Sequence, residues 1–116
     1  MSGWKLGGRG DQESALTGTY AEFARCSPQR SHPLPEKISL AQGAALGVPY
    51  ATAWRALFQR ARAKAGETGL IHGANGEVGT AAVQIARAAG LTVIGTGGTT
   101  AGRGQIIEQG AHHALD

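Results

Sequence analysis

Thr68-Gly-Leu-Ile-His72, Gly73-Ala-Asn-Gly-Glu-Val-Gly79, Gln84-Ile-Ala-Arg-Ala-Ala-Gly90 and Leu91-Thr-Val-Ile-Gly95 form the stretch whose reading decides the fold. The short apolar run Leu70 and Ile71 meets Gly73, and an alanine-rich amphipathic segment follows. Val78, Ala82, Ile85, Ala86 and Ala89 recur at helical spacing with mostly small side chains, which lets a helix lie close on a sheet. Gly90 stands where a helix C-cap glycine belongs, and a second apolar run starts at Leu91. The pattern predicts strand, turn, helix, strand, which is one half of a parallel βαβ unit.

Gly73, Gly76 and Gly79 recur at intervals of three across the turn. In a dinucleotide-binding fold the first glycine permits a tight turn, the second lets backbone N–H groups approach a pyrophosphate, and the third lets helix and strand pack closely. A helix beginning near Gly76 would aim its unpaired N–H groups and positive dipole end at that phosphate. The acidic residue that bonds the ribose 2′-hydroxyl in NAD-binding units falls about 20 residues after the turn. Here no acidic residue occurs between Glu77 and Glu108. The second strand instead leads into Gly95-Thr-Gly-Gly-Thr-Thr100 with Arg103 close behind, a loop with room and positive charge for a 2′-phosphate, so NADP is expected over NAD.

Working outward, 116 residues with 41% apolar content allow one modest domain. A net charge of +3, with the eleven Lys and Arg spread along the chain, gives weak support for nucleic-acid or membrane binding. The single cysteine, Cys26, forms no internal disulfide, and no basic-then-apolar leader or long apolar span is present, so a reducing, cytoplasmic setting is expected. His112 and His113 are adjacent and face opposite sides of a strand, and no cysteine or carboxylate cluster accompanies them; no metal site is expected.

Residues 1–17 are polar and glycine-rich without periodicity and read as a disordered leader. Tyr20 to Cys26 alternates and predicts a strand. Pro28, Pro33 and Pro35 favour an extended or turning path over Ser27 to Glu36. Ser39 and Gln42 have the form of a capping box, so a short helix should start there. Pro49 then suits the first turn of a new helix, whose apolar stripe is Ala53, Trp54, Leu57, Phe58 and Ala61. Trp54 and Phe58 read as core, and Arg60, Arg62 and Lys64 as cations that complement a helix C-terminus. Thr52 either bonds a ligand or bonds the backbone locally. His72 reads as a hydrogen-bonded structural residue at a strand end. Ile106 and Ile107 start another helical turn or two, and Ala111 to Leu115 begins a third strand.

With these residues in view, the chain resembles the zeta-crystallin family, the zinc-free quinone oxidoreductases of the medium-chain dehydrogenase/reductase superfamily. The resemblance runs from Gly18-Thr-Tyr-Ala-Glu-Phe23 to the end and spans the middle third or so of a family member. It is carried by Leu34-Pro-Glu-Lys37, Gln42-Gly-Ala-Ala-Leu-Gly-Val-Pro-Tyr50, Thr52-Ala-Trp-Arg-Ala-Leu57, Lys64-Ala-Gly-Glu67, the Gly73 to Gly79 turn and Gly110-Ala-His112. Three positions depart from the family pattern. Gly69 stands where a β-branched residue is usual, Glu77 where glycine is usual beside the pyrophosphate, and Arg103 is not on the family's basic position.

The resemblance implies an α/β fold: a partial Rossmann-like NADP-binding unit over residues 49–116, preceded over 18–48 by a remnant of a GroES-like catalytic domain. It implies hydride transfer from NADPH to quinones, in a truncated form of impaired activity. The cofactor-facing positions are Asn75, Gly76, Glu77, Val78 and Gly79 in the turn, Gly98 and Arg103 beyond the second strand, and Thr52 with Tyr50 at the domain junction; no catalytic residue is assigned. Self-association as a homotetramer and RNA binding by a non-catalytic chain are further implications.

Overall fold

The computed structural model describes residues 3–5, 22–23, 25 and 27–116. They fall into two compact units, Met1–Val48 and Pro49–Asp116. In the first, strand β1 (Gly3–Lys5) pairs antiparallel with β2 (Ser31–Pro33), which follows a 3-10 turn at Pro28–Arg30. Of the stretch expected to be a disordered leader, Gly3–Lys5 alone is among the described residues, and it is a strand. The strand expected over Tyr20–Cys26 lies largely outside them; Glu22, Phe23 and Arg25 are described and belong to no strand.

Helix α1 (Leu40–Trp54) begins at the expected capping box: the Gln42 N–H donates to Ser39 Oγ at 3.2 Å and the Ser39 N–H donates to Gln42 Oε1 at 2.9 Å. Two expectations here are corrected. No new helix starts at Pro49; α1 runs through it. Proline removes the N–H that the Ala45 carbonyl would accept, and the turns beyond it are held by tertiary burial, with Ala53 fully buried against Ala81 and Ala82. After Trp54 the chain widens into a π turn over Arg55–Arg60, closed by Ala61 N–H to the Ala56 carbonyl at 2.9 Å. The wider turn breaks the stripe read at α-helical spacing. Trp54 is not core but 54% exposed, and its ring lies tilted against Phe58 at 4.5 Å between centroids. Arg62 ends the turn at φ 54°, in the left-handed region.

The second unit is a three-stranded parallel sheet in the order β3 (Thr68–Ile71), β4 (Thr92–Thr96), β5 (His113–Leu115). Leu70 stands opposite Ile94, and Gly95 opposite Ala114. Helices α2 (Glu77–Ala88) and α3 (Thr100–Glu108) make the two crossovers. Both run the same way across the sheet, and right-handed crossovers therefore put them on one face. The burial alternation agrees: Val93 and Gly95 are buried, while Leu70 and Leu115, of the opposite parity, are 55% and 52% exposed. The covered face holds the core of Ala74, Val83, Ala86, Leu91, Val93, Ile106 and Ala111.

Both helices end in the same device. Gly90 at φ 82° donates to the Arg87 carbonyl while the Leu91 N–H reaches back to Ala86, and Gly110 at φ 112° and Ala111 repeat the pair with Ile107 and Ile106. This two-bond closure needs a left-handed residue just past the helix, which glycine supplies without strain. A third correction concerns α3. It does not start at Ile106 but six residues earlier, because Thr99 caps it by accepting the Gly102 N–H at 3.0 Å. Arg103 consequently lies on a helix rather than in a loop.

Candidate functional site

The C-terminal end of β3 opens into the glycine turn, and each glycine there answers to a different constraint. Gly73 sits at φ 60°. A Cβ on Gly79 would overlap the Gly73 carbonyl oxygen and come within 2.7 Å of Ala74 Cα, so α2 approaches the turn as only glycine allows. Gly76 differs from both. Its φ of −78° suits any residue, and a Cβ there would lie 3.4 Å from the Gly73 carbonyl oxygen, an ordinary contact. Neither backbone nor packing demands glycine at that position.

Gly76 is also the N-cap of α2 and provides no side-chain acceptor. The first N–H groups of α2 therefore have no side-chain cap from that position, and the dipole's positive end faces outward. Next to them lies a cavity of about 640 Å³ lined by Ala53, Leu57, Leu70, Ile71, His72, Gly73, Gly76, Glu77, Val78 and Gly79, among others. Its wall is mostly apolar, with the turn at one end. Glu77 is exposed at the first position of α2, where a carboxylate complements the helix dipole.

Thr96 was passed over in the sequence, yet it holds the turn in place. Its carbonyl accepts the Ala74 N–H at 2.9 Å, its hydroxyl accepts the Gly73 N–H at 3.1 Å, and the hydroxyl lies 3.4 Å from His72 Nδ1. The available signal was a hydroxyl side chain at the end of the second strand, directly beside the turn in a parallel pair. Asn75 reaches the other way, toward α3: a Cβ on Gly102 would lie 2.8 Å from Asn75 Nδ2, and one on Gly97 3.6 Å from Asn75 Oδ1. Glycine at 102 leaves the room that the Asn75 amide uses.

The structure thus brings Asn75, Gly76, Glu77, Val78 and Gly79 together at one end of the sheet. Gly98 is exposed, with open space where its side chain would be. Gly95 and Gly97 make way for the core instead, since a Cβ on either would strike Ile106. Arg103 is engaged: Nη1 donates to the Gly97 carbonyl at 3.0 Å and to Asp116 at 3.2 Å, and Nη2 donates to Thr100 Oγ1 at 3.3 Å. Among the described residues three of its five N–H donors find partners and two do not. Thr52 is exposed on α1 and does not line the cavity. Tyr50 turns inward, donating to Gln84 Oε1 on α2, and Gln84 in turn donates to Gln109. His112 is a structural residue, with Nδ1 accepting the Val93 N–H at 2.9 Å.

Among the described residues no three His, Cys, Asp or Glu side chains gather as a metal site, and no helix is long and apolar enough to cross a membrane. No protein-family model matches the chain. Over its full length it is 50% identical to a quinone oxidoreductase of Rattus norvegicus, of which it covers 35%. The chain is similar to about a third of a quinone oxidoreductase. The quinone oxidoreductase from Thermus thermophilus, whose structures include a complex with NADPH, shares 38% identity at a TM-score of 0.69 over 74% of this chain and 29% of that one. A mycobacterial protein complexed with NADPH matches at 29% identity and a TM-score of 0.79, over 87% of this chain and 31% of its own. The Rossmann-like α/β reading of the glycine turn accordingly agrees with the solved structures of quinone oxidoreductases, of which the chain spans a minor part.

Proposed function

We propose that the chain binds NADPH at the glycine turn and serves as the cofactor-holding part of an NADPH-dependent quinone oxidoreductase. The observation that carries this reading is Gly76, a glycine that neither its φ nor its neighbours require, set at the uncapped start of α2. A missing side chain at that point makes sense when an external group must reach the backbone N–H groups. The residues that would hold the pyrophosphate are Val78 and Gly79 through their backbone N–H groups, with Gly76, whose own N–H is given to the Gly73 carbonyl at 3.0 Å, leaving the room for it; Asn75 and Gly98, with the two spare Arg103 donors, would meet the adenosine end and its 2′-phosphate. When bound, the nicotinamide supplies the hydride, and the protein's part is to position it.

The chain's own contribution is to fix the turn, present uncapped N–H groups, and offer the apolar wall of Leu57, Leu70, Ile71 and Val78 beside them. A quinone would be accepted on that wall. On the face of the sheet away from α2 and α3, Leu70 and Leu115 are half exposed, so water is poorly excluded and the chain by itself should turn quinones over slowly; a cytoplasmic setting is part of the same reading. Titration with NADPH and NADH, followed by nicotinamide fluorescence, is the test. Saturable binding with NADPH the tighter ligand is expected; no binding of either overturns the reading, and fast steady quinone reduction by the isolated chain overturns its catalytic half.

A second reading, a non-catalytic chain that binds single-stranded RNA, draws on a different surface. Trp54 is half exposed against Phe58, and Arg55, Arg60, Arg62 and Lys64 are all exposed around the same π turn. Stacking on an aromatic ring with cations alongside is the pattern of single-strand binding. Salt-dependent RNA binding that Trp54→Ala abolishes would support it, and RNA binding indifferent to that substitution would not.

A further inference from the structure

We propose that His72 is a further binding residue of this site: its imidazole is held by Thr96 so that Nε2–H faces the cavity and donates to a phosphate oxygen of the nucleotide. The inference rests on the nucleotide reading above. His72 follows the last residue of β3, is exposed, and lines the cavity together with Gly73, Gly76 and Glu77. The Thr96 hydroxyl oxygen accepts the Gly73 N–H, and His72 Nδ1 lies 3.4 Å from the same oxygen; in the proposed arrangement the hydroxyl gives its single proton to Nδ1. An imidazole that accepts at Nδ1 carries its own proton on Nε2, the nitrogen remote from Thr96.

Glu77 lines the same cavity, and a carboxylate there would repel a phosphate, so a hydrogen-bond donor in the same lining has a defined use. Thr96 then acts twice, through Gly73 on the shape of the turn and through His72 on the direction of a donor. The backbone N–H groups of α2 would hold the pyrophosphate from one side and His72 from the cavity side.

Two measurements keep this inference separate from the nucleotide reading. Nitrogen NMR of the ligand-free chain at mildly alkaline pH should show His72 protonated on Nε2, and Thr96→Val should convert it to a mixture of tautomers; neither needs a nucleotide. In NADPH titrations His72→Ala should weaken binding roughly tenfold, as expected for one hydrogen bond to a charged group. His72→Gln, whose amide reaches the Nε2 position, should restore most of that loss, His72→Asn should not, and the ligand-free melting temperature should stay the same in all three. A His72 protonated on Nδ1, or unchanged affinity in His72→Ala within a chain that binds NADPH, overturns the inference alone. A wild-type chain that binds no NADPH overturns the nucleotide reading and this inference with it.

Discussion

The Thr96 hydroxyl accepts the Gly73 N–H at 3.1 Å, so a side chain at the end of β4 fixes the first glycine of a turn 23 residues earlier. The Thr96 carbonyl fixes the next amide, that of Ala74, at 2.9 Å. Thr96→Val keeps the shape and the carbonyl bond but removes the hydroxyl. The Gly73 amide is exposed and can be rehydrated, so the cost should be near the net worth of one hydrogen bond, about 0.5 to 1.5 kcal/mol. Urea unfolding of Thr96→Val and Thr96→Ser would measure it, with Ser retaining most of the stability. Equal midpoints for wild type and Thr96→Val would show that the tie contributes nothing.

Gly76 and Gly79 should respond to alanine differently. Gly79→Ala drives a methyl into the backbone of Gly73 and Ala74, which cannot yield as a flexible side chain would, and should cost about 1 to 3 kcal/mol or more. Gly76→Ala meets only an ordinary contact with the Gly73 oxygen, but alanine is a poorer N-cap than glycine, so it should cost about 0.5 to 1 kcal/mol, less than Gly79→Ala. Its effect should be on NADPH, whose phosphates the methyl would obstruct. Full NADPH affinity in Gly76→Ala would remove the main support for a phosphate at this turn.

The βαβ unit was legible because its signals are local: an apolar run, glycines at fixed intervals, a helical stripe and a closing glycine at 90. What escaped depended on tertiary context. Pro49 reads as a helix start, yet burial of Ala53 carries α1 through it. Trp54 reads as core, and the π turn that displaces it has no simple periodic signature. Thr100 to Gly104 looks like a loop because threonine and glycine are poor helix formers, while the Thr99 cap and the burial of Ile106 make it the first turns of α3. In the site, the three turn glycines were read from spacing, and Asn75, Glu77 and Val78 from the family resemblance. The part played by Thr96 follows from the parallel register that brings two strand ends together, which no single segment reveals.

Gly69 should be a weak point of β3. It pairs with Val93 inside the sheet, and a Cβ at this position would lie 3.5 Å from Leu91 Cδ2, in ordinary contact. Alanine there needs no rearrangement and restricts the unfolded chain, so Gly69→Ala should stabilise by roughly 0.5 to 1 kcal/mol. Thermal unfolding of the two proteins decides it; a lower melting temperature for Gly69→Ala would mean that β3 tolerates no side chain on its covered face.

Glu77→Gln sets two effects against each other. In the free protein the carboxylate lies exposed at the first position of α2, where its attraction to the helix dipole is screened by water, so removing it should cost only a few tenths of a kcal/mol. In the proposed complex with NADPH, the same carboxylate would stand beside an anionic pyrophosphate. Charges several ångströms apart near a protein surface interact at an effective dielectric closer to about 20 than to about 80, so the repulsion relieved should be on the order of a kcal/mol. The larger effect favours the bound state: Glu77→Gln should melt at or slightly below the wild-type temperature without ligand and bind NADPH several-fold more tightly. Raising the salt concentration should shrink that difference, because screening weakens the repulsion in the wild-type complex. Paired melting curves and NADPH titrations at low and high salt test all three parts. If Glu77→Gln binds NADPH no better than wild type at low salt, the carboxylate points away from the phosphates and does not limit this turn.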